Sequence, residues 1–127
     1  MSASPEDLMA CAEAMLPMAK ADPEWRAVCS RAYYAAYQAT RAFHAALATP
    51  GAVGNATGRH QQLIAQLLSP GISPNNKKHA ISKALGKTML PLLDARIRSD
   101  YDIHLDVNQV LAINSTTGAR TAVDNSK

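Results

Sequence analysis

From Trp25 to Ala46, apolar residues return at spacings of three and four: Trp25, Cys29, Ala32, Ala36, Ala39, Phe43 and Ala46. That period paints one stripe of an α-helix and fits no strand. Asp22-Pro23-Glu24 supplies a start signal and Thr49-Pro50-Gly51 a stop, so the helix is expected to run to about Leu47. Its stripe is mostly alanine, and small side chains let neighbouring helix axes come close. This segment is therefore the expected centre of a helical bundle.

The rest of the chain reads the same way. Ser4-Pro5-Glu6-Asp7 places a cap, a first-turn proline and an acid that closes a capping box on Ser4. Leu8, Cys11, Met15 and Met18 follow at helical spacing, and Pro17 should end or kink that helix. Pro50 to Gly58 is a glycine-rich loop, and a short helix starts near Arg59. A longer helical pattern starts near Asn76 and carries Ile81, Leu85, Met89, Leu92, Leu93, Ile97 and Tyr101. Gly86 and Pro91 interrupt it, so it is one kinked helix or two. Asp106, with Gln109 three residues on, marks the start of a last helix in which Val107, Val110, Leu111 and Ala122 are core candidates. The run from Asn114 to Gly118 is weak helix material. The expected architecture is an all-α bundle of four to five helices in one domain over 1–127.

With 127 residues, 47% hydrophobic and 18% charged, the chain is large enough for one real core and too short for a two-domain enzyme. No apolar run reaches membrane-spanning length, so no membrane partner is expected. No basic-then-apolar leader pattern opens the chain. Cys11 and Cys29 both lie in alanine-rich apolar stretches, which points to buried thiols, a reducing compartment and cytoplasmic residence.

The net charge of +3 hides a strong segregation. No acid lies between Glu24 and Asp94, while Arg26, Arg31, Arg41, Arg59, Lys77, Lys78, Lys83 and Lys87 fall in that span. Such a span is either solvated helix surface or a patch for a phosphate backbone.

Two clusters carry chemistry. Ser30-Arg31-Ala32-Tyr33-Tyr34-Ala35-Ala36 sits on the central helix, where Tyr33 and Tyr34 point about 100° apart, so one can enter the core while the other reaches an edge. The second cluster is Arg96-Ile97-Arg98-Ser99-Asp100-Tyr101-Asp102-Ile103-His104. In a continuous helix the offset from Arg98 to His104 would turn the two about 240° apart. They can meet only if the helix ends near Asp102 or if they face each other across a symmetric interface. Such a pair suits metal-free RNA cleavage: an imidazole moves protons and a guanidinium steadies the phosphate. The same residues also suit surface ion pairs from Arg98 to Asp94 or Asp102, with His104 exposed in a turn.

The two clusters, in this order and at this distance, resemble the HEPN superfamily. The first matches an S-R-x-Y-Y-A pattern, and Arg98-Ser99-Asp100-Tyr101-Asp102 matches R-x-x-D-Y-D; Arg59-His60 resembles the start of the third helix. The resemblance spans roughly 23–122. It implies a homodimeric helical bundle acting as a metal-independent endoribonuclease of the toxin or phage-defence kind, with no cofactor and RNA as substrate. Arg98 and His104 would be the catalytic pair in an R-x5-H motif shared across the dimer. Asp100 and Tyr101 would support them, and Arg31 and Tyr34 would border the RNA. An antitoxin partner of nucleotidyltransferase or other type is also implied. The family includes modules that only bind nucleotide, nucleic acid or protein, and that is the alternative expectation.

Overall fold

A computed structural model describes residues 3–127, which form five α-helices and no strand. These are α1 (Pro5–Met15), α2 (Asp22–Ala45), α3 (Arg59–Leu68), α4 (Lys77–Tyr101) and α5 (Gln109–Asn125), with a 3-10 turn over Leu16–Met18. None of the described helices is long and apolar enough to cross a membrane.

The expected start signals operate as local backbone chemistry. The Asp7 amide donates to Ser4 Oγ at 3.1 Å and the Ser4 amide donates to Asp7 Oδ2 at 3.0 Å, closing the box at the head of α1. Asn76 caps α4 by accepting from the Lys78 amide at 2.9 Å. Pro17 ends α1, which gives way to the 3-10 turn. Pro91 does not divide α4, which is one helix. Leu85, Met89, Leu92 and Leu93 bury one face of it on either side of the proline, and that packing holds the segment helical despite the missing amide.

α2 is the central helix and packs against α1, α4 and α5. Ala32, Ala35, Ala36 and Ala39 are buried along it, together with Cys29 and Phe43. Tyr33 is 2% exposed and Tyr34 is 48% exposed, the division that their angular separation demands.

α5 starts later than expected. Asn108, rather than Asp106, is its cap, accepting from the Leu111 amide at 3.0 Å. Its serines and threonines are core residues: Ser115 and Thr116 are buried beside Ala112, Ala119, Ala122 and Val123. The Thr116 hydroxyl donates to the Ala112 carbonyl at 2.6 Å, so the buried oxygen is satisfied within its own helix. Tertiary packing of small side chains outweighs weak helix propensity here.

Several expected core positions are corrected. Cys11 is exposed while Cys29 is buried, because Met9 and Ala12 form the inward face of α1. Ala46 lies past the end of α2 and is exposed. Val110, Ile97 and Tyr101 are exposed as well, and α5 turns Ala112 inward instead of Val110.

Most acids at the chain ends serve the scaffold. Arg120 on α5 holds Glu6 at 2.7 Å, Glu13 at 2.6 Å and Asp124 at 3.1 Å, which ties α1 to α5. At the other end of the bundle Arg26 is the central tie. Its Nε donates to Asp22 at 2.6 Å, and its Nη1 donates to the carbonyls of Arg98, Ser99 and Asp102 at 3.0, 3.1 and 3.3 Å. Its Nη2 donates to the Leu105 carbonyl. Asp22 also accepts from the Val107 amide at 2.8 Å. A cation thus caps the negative end of α4 and fixes the turn that leads to α5.

Candidate phosphate-binding cleft

Two adjoining cavities open where α2, the start of α3 and the end of α4 converge. One, of about 370 Å³, is lined by residues including Gly58, Arg59, His60, Arg96, Ile97 and Tyr101. The other, of about 230 Å³, is lined by Ser30, Arg31, Tyr33, Tyr34, His60 and Arg96. His60 and Arg96 belong to both and form the ridge between them.

Side chains from three helices meet here. The Tyr33 hydroxyl and His60 Nδ1 share a hydrogen bond of 2.8 Å. Tyr37 lies against the same imidazole, its ring centroid 4.5 Å away and its plane tilted by 46°. The Arg96 guanidinium lies 5.7 Å from the Tyr33 ring centroid and 5.4 Å from that of Tyr101, a cation between two aromatic faces. Arg96 Nε donates to Asp100 Oδ2 at 3.0 Å, and the Ser30 hydroxyl donates to the same oxygen at 3.3 Å. Asp100 therefore orients Arg96, whose side chain remains 24% exposed to the cleft.

The electrostatics favour an anion. Arg31, Arg59 and Arg96 all line the cleft, and among the described residues no carboxylate lines either cavity, Asp100 standing behind Arg96 as its ion-pair partner. α3 begins without a side-chain cap after Gly58, whose φ of +79° turns the chain into the helix. The uncapped first turn adds the positive end of a helix dipole. Burial, followed by the charges of Arg96 and Arg59, lowers the pKa of His60 below its ordinary value. The lowered pKa favours the neutral imidazole, and in the tautomer whose Nδ1–H donates to the Tyr33 oxygen, Nε2 carries the free lone pair. Burial raises the Tyr33 pKa far above its usual range, so the phenol keeps its proton.

The residues singled out in sequence are distributed unevenly around this cleft. Arg31 and Tyr34 line it, and Tyr101 supplies an aromatic face to Arg96. Asp100 pairs with Arg96, not with His104. α4 ends at Tyr101, as a meeting of Arg98 and His104 in one chain requires. Both of those side chains are nevertheless exposed, and neither makes a hydrogen bond or ion pair among the described residues. Arg26, part of the basic span, is spent on α4 and is no part of the cleft. The sequence patterns do not single out His60 or Arg96 as functional residues. His60 follows Arg59 at the head of α3 and Arg96 opens the second cluster, where its four-residue spacing from Asp100 is the sequence signal for a clamped guanidinium.

No cluster of three His, Cys, Asp or Glu side chains placed to hold a metal is found among the described residues. The chain matches no protein-family model and no curated protein.

Proposed function

We propose that this protein is a metal-independent endoribonuclease of HEPN type, a cytoplasmic toxin or defence effector, whose chemistry runs in the His60–Arg96 cleft. The observation that carries the reading is the 2.8 Å Tyr33–His60 hydrogen bond beside the Arg96 guanidinium. A neutral, oriented imidazole is a general base, and an adjacent clamped guanidinium is a phosphate ligand. With the Nδ1–H donated to the Tyr33 oxygen, His60 Nε2 takes the proton of a ribose 2′-hydroxyl. The 2′ oxygen bonds to phosphorus, the bond to the 5′ oxygen breaks, and that oxygen takes a proton from solvent. The product is a 2′,3′-cyclic phosphate. Arg96 and Arg31 neutralise the pentacoordinate phosphate, and the first turn of α3 adds its dipole.

The test is cleavage of RNA in EDTA by wild type and four variants. His60→Ala and Arg96→Ala are expected to lower the rate by about 100-fold or more. Arg98→Ala and His104→Ala are expected to leave it within a few-fold. The reverse pattern would return the chemistry to the R-x5-H pair across a homodimer. RNA binding with no cleavage by wild type would make the protein a binding module. Homodimerisation and an antitoxin partner belong to the same reading and are checked by light scattering and by co-purification.

A further inference from the structure

We infer that the RNA taken by this cleft is single-stranded, and that it leaves along a stripe of α2 formed by Arg31, Tyr34, Gln38 and Arg41, with one base stacked on Tyr34. The inference rests on the cleft being an RNA site and adds the strandedness and the path.

Four observations converge on it. The four residues follow one another at spacings of three and four, which places them on one ridge of α2. Arg31, Tyr34 and Arg41 are exposed and Gln38 is half-buried, so the ridge is open along its length. The ridge starts in the cleft itself, because Arg31 and Tyr34 line the same cavity as His60 and Arg96. Its charges are uncompensated: neither Arg31 nor Arg41 is in an ion pair among the described residues, and the chain has no acid from Trp25 to Leu93.

The spacing suits an unpaired strand. Arg31 and Arg41 are about 15 Å apart along the helix axis, a span on the order of four stacked nucleotides. Tyr34 lies between them, 48% exposed, with a phenol that makes no hydrogen bond among the described residues. An aromatic ring flanked by cations is the pairing that binds single strands, with bases stacked on the ring and phosphates on the cations. In a duplex the base faces are already stacked on one another, and only the two arginines would find partners.

The probe is a short fluorescent 2′-O-methyl oligonucleotide, which cannot be cut, presented as a single strand and as a duplex of the same sequence. Tyr34→Ala is expected to weaken single-strand binding by roughly 5- to 100-fold, and Tyr34→Phe to restore it. Arg41→Ala is expected to weaken binding and to lower the slope of log affinity against log salt by about one. Duplex affinity is expected to ignore Tyr34. Wild-type affinity in both Tyr34→Ala and Arg41→Ala would overturn the path, as would an equal loss on duplex and single strand. If His60→Ala and Arg96→Ala still abolish cleavage in that case, the cleft reading stands alone. Failure of wild type to bind any strand would end both. The targeted side chains are exposed, so the variants fold, as circular dichroism should confirm.

Discussion

Tyr33 and His60, 27 residues apart in the chain, share a 2.8 Å hydrogen bond that joins the central helix to the first turn of α3. The bond fixes the ring orientation of His60 beside Arg96. The Arg96 charge, brought in by a third helix, lowers the pKa of that imidazole, second to burial as a cause.

Replacing Arg96 with Gln removes a positive charge that disfavours the imidazolium. The pKa of His60 should rise toward its ordinary value while staying below it, because burial is the larger cause of the depression. Titration of the His60 ring by NMR reads this directly. An unchanged or lower pKa would mean that Arg96 does not act on the imidazole.

Stability should fall with acid in two separate pH ranges. The folded state resists protonation of His60 and of His44, whose Nε2 accepts from the Gly51 amide at 3.1 Å. The unfolded chain takes up those protons near pH 6.5, so stability falls as the pH drops below about 6.5. Glu6 is then held down to about 2 by hydrogen bonds from Arg120 and Lys127. The stabilisation it gives is complete above its ordinary pKa of 4.5 and is lost as the pH falls toward 2. Thermal midpoints measured against pH should show both declines. His44→Gln with His60→Gln should erase the first and leave the second.

Arg26→Ala should destabilise the fold by about 2–4 kcal/mol, since it strips a charge-assisted cap from four carbonyls and leaves Asp22 without its cation. Arg26→Lys should recover little of this, because a single ammonium cannot reproduce the fork. Urea unfolding gives the magnitude. Hydrogen exchange should show faster opening over residues 102–106, and protection equal to wild type there would contradict the capping role.

Pro91→Ala should stabilise the protein, by up to about 3 kcal/mol, because it restores an amide to the middle of α4. Pro91 is exposed, so the change leaves no core cavity. A lower urea midpoint would show that the packing of Leu92 and Leu93 needs the proline's local geometry.

The readable parts of this chain were those written in local chemistry. The box between Ser4 and Asp7, the helix start near Asn76 and the divergence of Tyr33 from Tyr34 each depend on neighbours within one helical turn, so residue order is enough to expose them; which tyrosine enters the core is settled by packing. The core of α5 was harder, because Ser115 and Thr116 look polar in sequence and become interior only once Thr116 bonds its own helix and its small volume fits the bundle.

An all-α chain, its helix starts, its central alanine-lined helix and a basic middle without acids are all legible in residue order. Only the tertiary structure decided which arginine of the Arg96–Arg98 pair reaches the cleft. Two residues turn a helix by about 200°, and the burial of Leu92 and Leu93 sets that rotation so that Arg96 meets Tyr33 while Arg98 faces solvent. The fold likewise decided that His60 stands between cations and that Arg26 is a helix cap. These side-chain partnerships span from 27 to 79 residues of chain. No local rule encodes them, because they exist only when packing brings distant helices together.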